Sequence, residues 1–160
     1  MAASDRVLPD LLDRLTSDDT VAGHDSRSSA AVSLRQYQQS VLRDLGWLLN
    51  ARSTLPEDVA VEFPEIARSV LNFGTRDFCG IAAASVDLIE VEHELMDAIQ
   101  CFEPRIIRGS LSVKAVPPSE PAGLNVVAFE IRGEVWAVPF PEQVFIRTEL
   151  DLETGQYELK

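Results

Sequence analysis

The spacing of apolar residues in this chain changes character once, and the change falls at Pro104. Before Pro104, apolar residues recur every three or four positions, as on one face of an α-helix. After it, they alternate with polar residues, as in a half-buried β-strand. Proline has no backbone N–H and biases the preceding residue toward extended geometry, so it ends a helix. The sequence therefore predicts an α+β fold, in which amino-terminal helices are followed by an antiparallel β-sheet with a carboxyl-terminal hairpin.

Three helices are predicted before this proline. The first carries an apolar stripe over residues 34–49, with Trp47 expected to pack in the core or at its rim. The second covers Pro64–Phe73, because proline suits a first helical position. The third is predicted to begin at a Ser85 cap with Asp87 in its first turn, and to continue as far as the proline.

Several strands are predicted after the proline. The segment Ile107–Ala115 alternates like a half-buried strand, and Leu124–Ile131 is apolar enough to lie at the centre of a sheet. Residues Glu134–Val138 either continue that strand or form another. An amphipathic strand over Val144–Leu152 then reaches a turn at Glu153–Gly155, from which the chain returns as a hairpin.

The length of 160 residues favours one main domain. Residues 34–160 are predicted to form a single α+β domain, and residues 1–33 to be an appendage. Four leucines between Leu8 and Leu15 have the spacing of a short amphipathic helix. The polar residues 16–29 read as a flexible linker. The short helix either packs on its own domain or docks on another surface.

Charge and cysteine content narrow the class of protein. The chain has 14 basic and 26 acidic residues and a formal net charge of −12, which argues against nucleic acid or anionic lipid as its main partner. No apolar run approaches the roughly 18 residues that span a bilayer. Cys79 and Cys101 show neither metal-ligand spacing nor a disulfide framework. We therefore expect a soluble cytoplasmic protein with free thiols that binds no nucleic acid and does not insert into a membrane.

The most distinctive local feature is the elbow Glu103–Pro104–Arg105, where the helical pattern meets the strand pattern. In an extended segment, side chains two residues apart project to the same side. The Glu103 carboxylate and the Arg105 guanidinium are therefore predicted to pair. The pair either braces the loop internally or presents the loop to a partner protein. An Arg105→Ala variant is expected to stay folded and to lose partner binding. Because an exposed ion pair contributes only about 0–1 kcal/mol, a large loss of stability in that variant would instead favour the internal brace.

We expect no enzymatic activity and no bound cofactor or metal ion. Glycoside hydrolysis needs two carboxyl groups roughly 5–9 Å apart, one of them protonated. Glu103 is the best-placed acid, but the neighbouring Arg105 favours its ionised form, which cannot act as a general acid. His93 and Asp97 lie one helical turn apart, a spacing found in metal sites, but no recognisable third ligand accompanies them.

Four segments resemble, in the same order along the chain, the motifs of the TssE family, whose members are small baseplate subunits of bacterial type VI secretion systems. The most specific is the helix Ser40–Arg52. The others are Leu11–Leu15, Arg68–Gly74 followed by Asp77 and Gly80, and Ala98–Ile99 with Phe102–Arg105. A single motif of this kind would be weak, whereas four in order are specific. The carboxyl-terminal sheet is compatible with the family but less diagnostic.

The resemblance implies a structural role in a protein assembly. TssE proteins are similar to the phage baseplate wedge protein that starts sheath assembly, and they join the wedge proteins TssF and TssG. By this resemblance, Glu103, Pro104 and Arg105 shape or form the contact with the TssF–TssG core bundle. The carboxyl-terminal sheet is expected to template the first sheath ring of TssB and TssC through an open strand edge. TssK is a further candidate partner, and the implied location is the cytoplasm, at the membrane-docked baseplate.

Two alternative functions remain open at this point. A relative of this fold is a stress-response anti-adaptor, so a regulatory protein-binding module could use the same scaffold. Phage relatives have also been labelled lysozyme-like, which makes a peptidoglycan hydrolase the other alternative. The type VI motifs favour the baseplate role over both.

Overall fold

The computed structural model describes Leu12, Leu15 and residues 34–118, 125–137 and 140–160. Of the predicted appendage, only Leu12 and Leu15 are described, and both are helical and exposed. The predicted linker lies outside the described residues, so the division at residue 33 stays a prediction.

Four α-helices lie between Leu34 and the elbow. They are α1 (Leu34–Asn50), α2 (Glu57–Glu62), α3 (Pro64–Ala67) and α4 (Leu88–Phe102). The stripe predicted for α1 is confirmed, because its buried side chains recur every three or four positions. The end predicted for α4 is also confirmed: its last residue is Phe102, and the Glu103 N–H still donates to the Ile99 carbonyl at 2.9 Å.

The prediction of one helix over Pro64–Phe73 is wrong. After α3 the chain becomes extended at Ser69 and then forms a single 3₁₀ turn, Val70–Asn72. The Ser69 hydroxyl donates to the Ile66 carbonyl and accepts from the Leu71 N–H. These side-chain bonds compete with the backbone bonds that would have continued the helix.

The predicted Ser85 cap of the third helix is also wrong. Ser85 ends a separate 3₁₀ turn, and Asp87 is the capping residue of α4. The Asp87 carboxylate accepts hydrogen bonds from the N–H groups of Ile89 and Glu90. A carboxylate also complements the partial positive charge at a helix amino terminus, which a serine hydroxyl does less strongly.

The sheet has four antiparallel strands in the order β1-β2-β3-β4, with β1 at Ser112–Val116, β2 at Val126–Val135, β3 at Glu142–Asp151 and β4 at Gln156–Leu159. The α+β fold and the terminal hairpin are therefore confirmed. From Val126 onward, the apolar segment predicted to be central lies in β2, an inner strand. The alternative left open there is decided too, because β2 runs without a break as far as Val135.

The predicted strand Ile107–Ala115 is wrong in its first half. Residues Arg108–Ser110 form a 3₁₀ turn, and β1 begins only at Ser112. This turn is held by β2, because the Ile107 N–H donates to the Glu134 carbonyl at 2.8 Å. The apolar alternation here therefore reflects packing beside the sheet rather than strand pairing.

One apolar core joins the helices to the sheet, and α1 and α4 supply its helical side. The two helices pack against each other, α4 lies beside β1, and α1 lies beside β4. The inward side chains of β3 alternate with outward ones as predicted, with Ile146, Thr148 and Leu150 buried. The elbow thus stands where α4, α1 and the end of β2 come together.

Candidate partner-docking site

The elbow is a tight turn in which Glu103 is almost completely buried, with 4% of its surface exposed. Its carboxylate accepts hydrogen bonds from the Arg105 backbone N–H at 3.1 Å and from the Arg105 Nε at 2.7 Å. The predicted pairing of the two side chains is therefore present. The pairing arises from a turn rather than from the extended geometry that we predicted, because the Glu103 carboxylate also accepts a hydrogen bond from the backbone N–H of Arg105.

The Arg105 guanidinium also reaches across to α1. One terminal nitrogen donates to Asp44 Oδ2 at 2.6 Å, and the other donates to Ser40 Oγ at 3.2 Å. Sequence reasoning missed both partners. A signal for Ser40 was present, since it is a polar residue on the otherwise apolar stripe of α1. We call Ser40, Asp44, Glu103 and Arg105 the elbow brace.

The charges in the elbow brace support one another. Burial acts to lower the pKa of Arg105, but hydrogen bonds and charge attraction from Glu103 and Asp44 outweigh it and raise the pKa. The guanidinium therefore stays charged. The pair is largely buried, with the Arg105 side chain 17% exposed and the Glu103 side chain 4%. Desolvated, charge-assisted bonds of this kind are stronger than surface pairs.

The elbow is bonded to the sheet as well as to α1. The Arg105 carbonyl accepts from the Trp136 N–H at 2.8 Å, just beyond the end of β2. Ile106 forms an isolated antiparallel bridge with Val135. The elbow thus connects α4, α1 and β2. Backbone bonds hold it at Glu103, at Arg105 and at the following residue, Ile106.

A mostly apolar groove of about 340 Å³ opens beside the elbow. It is lined by Asp44, Trp47, Leu48, Phe73, Phe102, Glu103, Pro104 and Arg105. Phe73 and Phe102 pack edge to face, with ring centroids 5.3 Å apart. Trp47 was expected in the core or at its rim; it is 52% exposed and lines this groove, so it does not lie inside the core. Exposed aromatic side chains beside a shaped cavity are typical of protein interfaces.

A second polar cluster fastens the terminal hairpin to the helices, and we call Asn50, Arg52 and Asp77 the hairpin anchor. Arg52 pairs with Asp77 and donates to the Thr154 carbonyl at 3.1 Å. Gly155 has a positive φ of 70°, and a side chain there would press on both charged groups. The turn of the hairpin is therefore shaped to fit the anchor.

Asn50 holds the other end of the anchor by bonding strand β4. Its amide accepts from the Tyr157 N–H at 2.9 Å and donates to the Tyr157 carbonyl at 3.0 Å. The Tyr157 ring is buried below this contact. Burial and the nearby charge of Glu94 raise the pKa of the Tyr157 phenol well above its usual value.

The predicted positions divide clearly between these two clusters. Residues of the helix motif Ser40–Arg52 contribute to both, because Ser40 and Asp44 meet the elbow while Asn50 and Arg52 meet the hairpin. His93 and Asp97 belong to neither.

Among the described residues, no three histidine, cysteine or acidic side chains form a group that could hold a metal ion. No described helix has the length and apolar character needed to cross a membrane.

Comparison with known families identifies one match. The model of the family described as baseplate wedge protein gp25 matches residues 35–139, which is well over half of the 160 residues. The match includes the whole elbow brace and the hairpin anchor. No curated protein and no solved structure is a significant match to the chain.

Proposed function

Because this chain belongs to the baseplate wedge protein gp25 family, we propose that it is the TssE-type component of a type VI secretion baseplate. Membership makes it a component of a phage-tail-like baseplate. The type VI assignment is supported by the motif segment Ser40–Arg52, whose polar side chains meet the elbow motif at one end and Asp77 at the other. That convergence is the observation that carries the proposal, because it gives the quoted motifs a shared structural role.

The groove beside the elbow is the surface that we propose for the TssF–TssG wedge. Trp47 at its rim offers a large apolar anchor of the kind that dominates binding energy at interfaces. The elbow brace keeps the groove wall in one conformation, so less conformational freedom is lost on binding. In this proposal Glu103 and Arg105 act mainly by shaping the wall, while Pro104 is the exposed residue of the elbow that a partner touches.

The carboxyl-terminal sheet is the part that we propose to meet the sheath. An antiparallel sheet with unpaired edge groups can accept a strand of another chain, and TssB and TssC are the expected donors in a type VI system. TssK is a further candidate at the baseplate. The proposed location is the cytoplasmic face of the membrane, where such a baseplate docks.

Co-purification with a TssF–TssG complex tests the wedge proposal. Trp47→Ala removes an exposed ring, so the variant should keep the fold. If the ring is a central anchor, its loss should reduce the binding free energy by about 2 kcal/mol, which corresponds to roughly 30-fold weaker binding. Val61→Ala is the matched control, because Val61 is also exposed but lies outside the groove. Equal binding by the Trp47 and Val61 variants would contradict the groove assignment.

We also propose that the protein works without catalysis. Both oxygens of the Glu103 carboxylate already accept hydrogen bonds from Arg105, and Glu103 is 4% exposed, so the carboxyl group is not presented to a substrate. The purified protein should release no soluble fragments from peptidoglycan. Release that disappears in a Glu103→Gln variant would refute this proposal and revive the hydrolase alternative.

A further inference from the structure

Polar side chains build the turn at the centre of the motif segment Arg68–Gly74. The Ser69 hydroxyl bonds the main chain on both sides of it. The Asn72 amide nitrogen donates to the Ala67 carbonyl at 3.1 Å, and the Asn72 side-chain oxygen accepts from the Ser53 hydroxyl. These bonds give the serine and the asparagine of the motif a role inside the protein, which is to fix the shape of the turn.

Gly74 fixes the position of the same turn. Its φ is 131°, and a side chain there would press on the carbonyl of Ala51, the residue that follows α1. The next residue, Thr75, is buried, and its N–H donates to the Ala51 carbonyl at 3.0 Å. The turn is therefore fastened to the carboxyl end of α1 by a backbone approach that glycine permits.

The apolar residues of this turn, in contrast, contribute little to the fold. Val70 is 82% exposed and Leu71 is 76% exposed, and no residue of the 3₁₀ turn is buried. Side chains that remain in water gain almost no free energy from folding. We call Val70 and Leu71 the apolar knuckle. Two adjacent apolar side chains that a well-fixed turn presents to solvent indicate an interaction surface.

The apolar knuckle leads directly into the groove beside the elbow. The Phe73 N–H donates to the Val70 carbonyl at 3.3 Å, closing the turn. The Phe73 ring lines the groove and packs edge to face against Phe102. A partner seated in the groove would therefore have the knuckle immediately beside it.

The chain around the apolar knuckle is acidic. Helix α3 packs against the turn, and its Glu65 is exposed. Arg68 is the one basic residue between positions 57 and 69. The same stretch has four acidic residues, which are Glu57, Asp58, Glu62 and Glu65. A partner with lysine or arginine side chains around an apolar cleft would complement both the shape and the charge of this surface.

We propose that the apolar knuckle inserts into an apolar cleft of the TssF–TssG wedge whose rim carries lysine or arginine. The inference rests on the proposed function and adds a contact outside the groove. A second copy of this chain is a poorer occupant, because two chains of net charge −12 repel each other. Residues 1–33 of the same chain are also poorer, because they contain six aspartates and three arginines.

Comparison of two valines tests the apolar contact. Val70 and Val61 are 82% and 83% exposed, so Val70→Ala and Val61→Ala remove the same atoms from equally exposed positions and should leave the Tm unchanged. In titrations with purified TssF–TssG, we expect Val70→Ala to bind about fivefold more weakly, which is less than full burial of two methyl groups would give. Val61→Ala should bind normally. Equal binding by the two variants would overturn the proposal.

Charge reversal tests the basic rim separately. Glu65→Lys should bind TssF–TssG about threefold more weakly at low salt, and the difference should shrink as the salt concentration rises. Glu158→Lys is the matched control, because Glu158 is also exposed but lies on β4, and it should bind normally. The Tm of each variant shows that the fold is kept. Unchanged or tighter binding by Glu65→Lys would overturn the basic rim.

Failure of this inference and failure of the proposed function give different results. If Trp47→Ala weakens binding and Val70→Ala does not, the groove assignment stands and the knuckle contact is refuted. If the unsubstituted protein does not bind TssF–TssG at all, both are refuted.

Two other occupants of the knuckle are distinguished by hydrogen exchange at residues 70–72. Protection that grows with protein concentration, without any wedge protein, would show that a second copy covers the knuckle. Protection in the isolated monomer that is lost in a Leu12→Asp variant would show that the amino-terminal segment covers it. Either result overturns the wedge assignment, whereas protection that appears only on addition of TssF–TssG supports it.

Discussion

Removal of Arg105 should destabilise the fold far more than the loss of a surface ion pair. In the Arg105→Ala variant, Glu103, which is only 4% exposed in the unsubstituted protein, loses the guanidinium that neutralises it. Breaking a buried pair from one side costs about 3–5 kcal/mol. Asp44 and Arg105 are themselves partly exposed, with side chains 21% and 17% accessible, so water offsets some of the penalty. We therefore expect the free energy of unfolding to fall by about 3 kcal/mol, near the lower end of that range.

Urea denaturation followed by circular dichroism measures this loss. For a chain of this size, about 3 kcal/mol corresponds to a fall in Tm of roughly 6–12 °C. It would remove a substantial share of a typical stability of about 5–15 kcal/mol. The double variant Glu103→Gln with Arg105→Ala is the control, because it removes both charges together and should be about 2 kcal/mol more stable than the sum of the effects of Glu103→Gln and Arg105→Ala predicts.

The result that would refute this reasoning is specific. If Arg105→Ala loses less than about 1 kcal/mol, the brace behaves like an exposed pair, and its burial has no energetic consequence. Binding of the Arg105→Ala variant to TssF–TssG is a separate measurement, made well below the Tm of the variant so that the protein is folded. We expect weaker binding than for the unsubstituted protein, because the groove wall loses the bonds that join Arg105 to α1.

Three further predictions concern the backbone, a helix cap and alkaline pH. Gly74→Ala should lower the free energy of unfolding, measured by urea denaturation, by about 3 kcal/mol or more. The backbone φ at Gly74 is 131°, and the new Cβ would lie 2.4 Å from the Ala51 carbonyl oxygen. Gly46→Ala is the control, because Gly46 has open space around it, and this change should be neutral or stabilising. Asp87→Ala should cost about 1 kcal/mol in the same assay through loss of the α4 cap, and Asp87→Ser should recover most of it. The folded protein holds the Tyr157 phenol proton more tightly than the unfolded chain does, so stability should fall as the pH rises above about 10, and Tyr157→Phe should lessen that fall.

Local pattern was enough to predict the order of helices before an antiparallel sheet and the terminal hairpin. The apolar spacing of α1, the helix end before Pro104 and the turn at Glu153–Gly155 each depend on residues within a few positions of one another, and each is confirmed. The errors are also local in origin. Ser69 and Asp87 changed helix boundaries through side-chain bonds to the backbone, and such bonds compete closely with helical ones.

The candidate site was predicted only in part, for a physical reason. The sequence by itself determined that Glu103 and Arg105 lie together at a stiff joint, because two residues on either side of a proline cannot move far apart. Only the tertiary structure decided that Arg105 also binds Asp44, 61 positions away, and that β4 stops short of covering β3. Those outcomes depend on how α1 and the sheet pack against a common core, and contacts between distant residues leave no periodic trace in the chain.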